Sequence, residues 1–397
     1  MSNNLGSVAE DLTYFGSEVL SQLQNRLTLV QTVRRSYQGA EESAGSNVQI
    51  PYITISGGAT ARAIGGAATA SDVDAQYTTV VLGQIYQAAS IDNLQKTFQN
   101  IDLMAETAAR LAYNLAAASD SKIAALWNEI PNEVGTLDGT SIFNATDDIN
   151  VFAAARKKLS ANQAPLDLNN IHAVINPSEA YALRTLTSYK QANFSGTAEG
   201  RRTGDLYDTF GFQIHESQQI QDATLSVAAE WLSPGAVVGA FAKGASAVAI
   251  NSVGVGTIKK GSTFTIGTAA YSVTADATIT ANAATVSIYP KLKVALVGGE
   301  AVTAVVHSAA ASMNLMYHSD AFLFVARPSA AFAQGSGVTS VVVRDPQTGL
   351  GLRVSHQSQL LGSAGVAMTE SILVDIVCGA KTVRPEWAIK ATGQITT

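Results

Sequence analysis

The chain of 397 residues has a low density of charge for its size. Charged residues make up 14% of the sequence, well below the roughly 25% of typical soluble domains. We therefore expect much of the surface to be buried between subunits, and a neutral Ala- and Gly-rich surface is the alternative. The formal net charge of -6, with Lys and Arg scattered along the chain, argues against a dedicated nucleic-acid-binding protein.

Residues 1–47 begin with an amphipathic segment. Its apolar residues recur at helical spacing: Val19, Leu20, Leu23, Leu27 and Val30. No neighbouring helix in the sequence covers this stripe, so we expect it to bury against a distant part of the same subunit or against another copy. The pattern favours an N-terminal arm.

Two β-type runs follow, at residues 48–55 and 77–91. The linker between them, residues 57–74, consists almost wholly of Gly, Ala, Ser and Thr, so it lacks the apolar side chains to form a core. This pattern predicts a two-stranded arm that is stabilised by lying on a neighbouring molecule, because an isolated hairpin is marginally stable in water. A plain surface loop is the alternative.

The strongest helical pattern spans residues 93–130. Apolar and small residues keep a three-four rhythm along it: Leu94, Phe98, Ile101, Ala105, Ala108, Ala112 and Leu115. Pro131 ends the pattern. An unbroken helix of this length would extend over about 55 Å, which predicts a spine for the subunit.

The remainder of the chain has mixed patterns typical of an α+β fold. Residues 132–234 predict helices and strands in alternation: helices at 151–159 and 177–186, and strands at 171–175 and 211–215. Residues 235–298 predict a small β-barrel or sandwich, because short alternating runs are separated by glycines. Beyond it we expect an apolar helix at 300–317 and then four strands: 321–326, 338–344, 350–356 and 372–378. The single cysteine, Cys378, is predicted to be a buried thiol.

Sequence patterns of enzymes and metal sites are missing. The chain has neither a GxxxxGK[ST] phosphate-binding loop nor a GxSxG nucleophile motif. Its five histidines are dispersed, without an HxH or HxxxH pair. We therefore expect no catalytic residues, no cofactor and no metal. We also expect neither a secretory signal nor a membrane span, since the apolar stretches are interrupted by polar residues.

Short motifs carry a resemblance to a known family. Residues 258–266 (IKKGSTFTI) place basic residues and a glycine before an alternating run, and residues 379–386 (GAKTVRPE) end in Arg-Pro-Glu. Val48 to Pro51 and Asn176–Pro177 fall where that family places its arm strand and a turn of its lobe. With the order of elements, these motifs resemble the major capsid proteins of tailed bacteriophages, which have the Hong Kong ninety-seven type fold. The inserted β domain is similar to that of coat proteins from short-tailed enteric phages.

The resemblance implies an α+β phage major capsid fold with peripheral and axial lobes. The segments would be an N-terminal arm at 1–47, an extended hairpin loop at 48–90, a spine helix of the peripheral domain at 91–131, an axial domain at 132–234, an inserted β-barrel domain at 235–298, and the C-terminal part of both lobes at 299–397. Contacts between subunits are expected at seven residues: Ile55, Arg62, Ile64, Tyr77, Lys259, Lys260 and Arg384.

The resemblance also implies a structural role rather than an enzymatic one. The chain would assemble, as pentamers and hexamers, into the icosahedral shell of a virion that encloses double-stranded DNA without sequence-specific binding. Assembly in the host cytoplasm would require a separate scaffolding protein and a portal protein, and the procapsid would expand on packaging. An encapsulin-like nanocompartment shell is the alternative. A β-rich adhesin is disfavoured by the long central helix.

Overall fold

The computed structural model describes most of the chain. The described residues are 5–36, 45–55, 73–92, 103–135, 138, 140–144, 149–167, 169–190, 204, 206, 208–226, 235–251, 254–307, 310–333, 337–345, 350–359 and 369–393.

The described helices are short or of moderate length. The α-helices are α1 (Leu5–Arg26), α2 (Leu29–Thr32), α3 (Leu103–Ala124), α4 (Asn150–Ala161), α5 (Pro177–Thr185) and α6 (Thr187–Lys190). Turns of 3-10 helix lie at Ala125–Glu129, Ser319–Ala321 and Pro385–Trp387.

Strands account for more elements than helices do. The strands are β1 (Arg34–Ser36), β2 (Asn47–Ile55), β3 (Val73–Val81), β4 (Gly83–Asp92), β5 (Asn132–Gly135), β6 (Ile171–Ile175), β7 (Gln213–Glu216), β8 (Asp222–Thr224), β9 (Gly235–Val237), β10 (Ala247–Asn251), β11 (Thr257–Ile258), β12 (Thr263–Ile266), β13 (Ala269–Val273), β14 (Ala277–Thr278), β15 (Ala283–Tyr289), β16 (Ala301–Ala304), β17 (Ala310–His318), β18 (Phe322–Arg327), β19 (Thr339–Arg344), β20 (Gly351–Gln359), β21 (Thr369–Thr382) and β22 (Ala388–Gly393).

The chain divides into two compact units. Unit 1 comprises Met1–Ser21, Ser36–Leu111 and Phe324–Lys381, and unit 2 comprises Gln22–Arg35, Ala112–Leu323 and Thr382–Thr397.

The main sheet of unit 1 is antiparallel, with β4, β21, β20 and β19 side by side in that order. β4 pairs with β21 along its whole length, from Gly83 opposite Cys378 to Asp92 opposite Thr369. Cys378 is buried, as predicted. β2 and β3 form a separate two-stranded sheet in the same unit.

Helix α1 packs within its own chain. The predicted apolar stripe, which begins in α1 and continues into α2, is buried at every position: Val19, Leu20, Leu23, Leu27 and Val30. In unit 1, a Cβ atom added at Gly16 would lie 2.6 Å from Cγ2 of Val343 on β19, so the helix backbone lies directly on this sheet. Of the two expectations for the stripe, burial against a distant part of the same subunit is confirmed.

The main sheet of unit 2 has the strand order β5-β22-β17-β6-β7, and β8 also pairs with β17. Its outer pairs, β5 with β22 and β6 with β7, are parallel, whereas central β17 is antiparallel to both of its neighbours. One face is covered by α4 and α5 through a core that includes Phe152, Leu159 and Leu183. The side chain of Asn176 caps α5 by accepting a hydrogen bond from the backbone N–H of Glu179 at 2.8 Å.

Six strands of unit 2 between Gly235 and Ala304 form a closed barrel, in the order β10-β15-β13-β12-β16-β9. Its neighbouring strands are antiparallel. The barrel has its own apolar core, which includes Val248, Phe264, Tyr271, Val286 and Ile288. Of the two predicted alternatives, a barrel or a sandwich, these strands form a barrel. The last barrel strand ends at Ala304, beyond the predicted boundary at residue 298.

The helix predicted at 300–317 is wrong. The range contains β16 (Ala301–Ala304) and most of β17 (Ala310–His318) instead, and residues 308 and 309 lie outside the described part of the chain. β17 lies at the centre of its sheet and is buried at almost every position, including the polar residues Ser312 and Asn314. It therefore lacks the alternating burial of a half-exposed strand. A run of this kind cannot be distinguished from a buried helix by periodicity alone.

The predicted spine is helical in its described part. The pattern predicts a helix over residues 93–130, and the described helix is Leu103–Ala124, continued by a 3-10 turn to Glu129. Ile91 and Asp92 belong to β4, and residues 93–102 lie outside the described part of the chain. The helices predicted at 151–159 and 177–186 and the four C-terminal strands are confirmed. The run predicted at 77–91 as one strand of the arm is divided between β3 and β4, and only β3 pairs with β2.

Candidate inter-subunit surfaces

The β2–β3 hairpin presents one exposed face. The two strands pair over nine residues each, from Asn47 opposite Val81 to Ile55 opposite Val73. Val48 and Val80 are buried, whereas Tyr77 keeps 62% of its surface exposed. In the described part of the chain, no third strand joins this sheet. The hairpin therefore offers unpaired backbone edges and an exposed aromatic ring to another molecule.

The contact residues predicted for this arm fall partly outside the described residues. Arg62 and Ile64 lie in the undescribed stretch 56–72. Ile55 is the last residue of β2, opposite Val73. Tyr77 lies opposite Pro51 and is exposed, so it is available for contact with another molecule.

Lys259 and Lys260 lie in the turn between β11 and β12 of the barrel. The backbone N–H of Lys259 donates to Oγ of Ser226 at 2.8 Å, and that of Lys260 donates to Oδ1 of Asp276 at 2.7 Å. These bonds engage only the backbone. Lys260 is exposed and Lys259 is partly buried, so the contacts predicted for these two side chains remain predictions.

Arg384 is engaged within its own chain. Its guanidinium carbon lies 4.1 Å from the ring centroid of Trp387, which is a cation–π geometry. Its backbone N–H donates to the carbonyl of Ala321 at 3.2 Å. The side chain is only partly exposed, and its predicted contact with a neighbouring subunit remains a prediction.

A second exposed surface was not predicted from the sequence. Residues 238–245 and 291–299, which we call the barrel ribbon, run beside each other as an extension of the barrel and are joined by the backbone hydrogen bonds between Phe241 and Leu296 at 2.9 and 2.8 Å. Val294 and Val297 are 68% and 84% exposed. These two exposed valines make the barrel ribbon a candidate interaction surface.

Three histidines that are dispersed in the sequence lie near one another in unit 2. The rings of His172 on β6 and His215 on β7 are 5.5 Å apart between centroids. Burial, with added repulsion from His215 and His318, lowers the pKa of His172 to about 4. Burial also lowers the pKa of His215 and of His318. Among the described residues, no group of three or more His, Cys, Asp or Glu is arranged to hold a metal ion.

No described helix is both long enough and apolar enough to cross a bilayer.

Comparisons with known proteins find solved structures only. No family model matches the chain, and no curated protein matches it. A chain of Mycobacterium phage Che8 is 16% identical, with a TM-score of 0.51 over 92% of this chain and 90% of that chain. The capsid structure of the Cyanophage P-SCSP1u is 12% identical, with a TM-score of 0.48 over 92% and 86%. The mature capsid of bacteriophage PhiM1 is 10% identical, with a TM-score of 0.48 over 94% and 88%.

The chain shares its fold with the phage Che8 chain. Phage capsids are among the solved structures that it resembles. At these identities the likeness concerns the fold, and the function of this chain is proposed below.

A sequence signal for the barrel ribbon exists in retrospect. Residues 237–242 read Val-Val-Gly-Ala-Phe-Ala and residues 294–297 read Val-Ala-Leu-Val. Both runs fall within the region predicted to form the β-barrel or sandwich, without an assignment of their own. Only the tertiary structure separates strands that line the barrel core from strand-like segments that project beyond it.

Proposed function

We propose that this protein is a structural subunit of a phage capsid shell. The observation that carries the proposal is the match of nearly the whole chain to the phage Che8 chain, at a TM-score of 0.51 over 92% of its length. A match of this extent includes both compact units rather than one shared supersecondary motif.

The exposed surfaces support the same role. A shell subunit has to contact several copies of itself through many modest interfaces. The β2–β3 hairpin and the barrel ribbon each present exposed apolar side chains, among them Tyr77, Val294 and Val297. The low charge content of 14% favours extensive burial of surface between copies.

In its finer form, the proposal assigns the chain to the Hong Kong ninety-seven type of major capsid protein. The hairpin would be the extended loop that overlaps a neighbour, the barrel would be the inserted domain, and pentamers and hexamers would close an icosahedral virion around double-stranded DNA. A scaffolding protein and a portal would direct procapsid assembly in the host cytoplasm, followed by expansion. Enclosure requires no sequence-specific contact with DNA, in keeping with the net charge of -6.

Electron microscopy of the assembled material tests the proposal. The chain is expressed together with its proposed scaffolding protein, and also alone. We expect closed shells tens of nanometres across in the co-expression. Monomers and irregular aggregates in both preparations would contradict a shell role.

The same images distinguish the alternative of a cellular nanocompartment. Closed shells that form without a scaffolding protein and contain a co-purified enzyme would favour the encapsulin-like reading. Shells that depend on the scaffolding protein favour the phage capsid.

A further inference from the structure

A buried polar cluster joins the barrel to the main sheet of unit 2. Glu133 on β5 and Lys390 on β22 are neighbours in the sheet, with Nζ of Lys390 3.5 Å from Oε2 of Glu133. The side chain of Lys390 is 0% exposed. From the barrel side, Gly261, Thr263 and His307 reach this pair. We call these five residues the Glu133 cluster.

Each charged group of the pair has a partner from the barrel side. Nζ of Lys390 donates to the carbonyl of Gly261 at 2.5 Å, and Oγ1 of Thr263 donates to Oε2 of Glu133 at 2.8 Å. Nε2 of His307, which follows the last barrel strand, lies 2.6 Å from Oε1 of Glu133. The barrel therefore contributes two of the groups that surround the two buried charges, and His307 contributes a third.

The charge state of the pair depends on this arrangement. Burial alone would raise the pKa of Glu133, but Lys390, His307 and Thr263 hold it down to about 2. Burial lowers the pKa of Lys390, and Glu133 opposes that change. Buried charges of this kind are tolerated only when their partners are present in good geometry.

Close packing also fixes the position of the barrel turn that contains Gly261. Gly261 has a φ of +80°, and a Cβ atom there would lie 1.8 Å from Cζ3 of Trp127, so the turn lies flat on the indole ring. Oγ of Ser272 in the barrel donates to the carbonyl of Asn128 at 2.7 Å. The barrel therefore contacts both the sheet and the 3-10 turn beside it.

We propose that the Glu133 cluster determines the orientation of the barrel on the sheet of unit 2. Apolar contacts are non-directional and would by themselves allow several docked poses. Other hydrogen bonds of the barrel to its surroundings, such as that of Ser272 to Asn128, involve no buried charge. Another orientation could displace Gly261 or Thr263 without admitting water between the barrel and the sheet. Lys390 and Glu133 would then be buried without their partners, and such orientations are disfavoured. The barrel is then a rigid projection of the subunit, which is a property beyond shell formation itself.

A pair of spin labels measures this orientation in the isolated full-length chain. Cysteines are introduced at Val255 in the barrel and Tyr181 on α5, which are 71% and 70% exposed, while the natural Cys378 is buried. The parent should give one narrow distance distribution. The Glu133→Leu/Lys390→Met variant removes both charges together and should remain folded, because an apolar pair can replace a buried ion pair.

The expected result is the loss of the single narrow distribution in the double variant. Its unfolding midpoint should stay near that of the parent, because the barrel keeps its own core. A matched control, Arg353→Met/Asp375→Leu, removes a buried ion pair in unit 1 and should leave the label distance unchanged. A folded Glu133→Leu/Lys390→Met variant with an unbroadened distribution would overturn the proposal.

A second variant decides the question if the double variant does not fold. Thr263→Val removes one barrel-side hydrogen bond to Glu133 without introducing a charge. A broader distribution in this variant supports the proposal, and an unchanged distribution overturns it. The outcome does not depend on whether the protein forms shells.

Discussion

At the scale of single residues, a buried ion pair joins two strands of the main sheet of unit 1. Asp375 on β21 is fully buried and accepts hydrogen bonds from Nε and Nη2 of Arg353 on β20, at 2.8 and 2.9 Å. Arg353 also donates to the carbonyl of Ala330 at 2.6 Å, and Ser329 donates to Asp375. The pair therefore attaches the segment after β18 to the sheet.

We predict that Arg353→Met destabilises the chain by about 3–5 kcal/mol, because it leaves the carboxylate of Asp375 buried without its counter-ion. Urea denaturation followed by tryptophan fluorescence measures the change. The double variant Arg353→Met/Asp375→Leu should recover most of the loss. A loss below about 1 kcal/mol in the single variant would show that this pair is not a main determinant of stability.

His172 predicts a dependence of stability on pH. Its pKa is about 4 in the folded chain and roughly 6.5 when unfolded, so between these values the unfolded state binds the proton more readily. The contribution of His172 to the free energy of unfolding therefore falls as the pH is lowered from about 6.5 to 4, by at most about 3 kcal/mol. The groups that face it are His215, His318 and Tyr317.

Denaturation of His172→Gln at a series of pH values measures this effect. The variant should lose less stability than the parent between pH 6.5 and 4. His356→Gln, on β20 of unit 1, is the control and should follow the parent. Parallel curves for the parent and His172→Gln would rule out His172 as the responsible group.

At the scale of elements, the β2–β3 hairpin illustrates an element whose stability depends on its surroundings. A two-stranded sheet is marginal in water, and Tyr77 is 62% exposed on it. Docking on another copy would cover this face, so its side chains should matter more for assembly than for folding.

We predict that Tyr77→Asp impairs assembly without unfolding the subunit. A surface substitution of this kind changes stability by about 0.5 kcal/mol or less, whereas a charge placed in an apolar contact opposes association. The measurement is the yield of shells by sedimentation, beside thermal denaturation of the free subunit. Tyr181→Asp, at 70% exposed on α5, is the matched control. Equal shell yields for Tyr77→Asp and the parent would contradict a contact role for the arm.

At the scale of the whole molecule, the proposed shell predicts where assembly protects the chain. Hydrogen exchange of the free subunit and of shells should differ most in β3 and in the barrel ribbon, because these segments carry exposed apolar side chains in the subunit. Strands of the barrel core, such as β10 and β15, should change little, since they are buried already. If assembly slowed hydrogen exchange equally in β3, in the barrel ribbon and in the core strands, the exposed surfaces would not be the contacts between subunits.

Much of the element list could be predicted from local pattern. Asn176 before Pro177 marks the start of α5, and the alternation in residues 263–266 marks β12, because capping and period-two burial act over a few residues. The resemblance in order of elements also led to the fold class. β17 was assigned wrongly, because its burial on both faces follows from its central place in the sheet and not from its local sequence.

What the sequence determined by itself was therefore the α+β class, most element types and the burial of the α1 stripe, since each depends on residues close together in the chain. The tertiary structure alone decided the closure of the barrel, the exposure of Val294 and Val297, and the meeting of Glu133 with Lys390 and His307. The contacts of Glu133 join residues more than a hundred positions apart, and the barrel closes between strands more than sixty positions apart. No periodicity records which distant strands become neighbours.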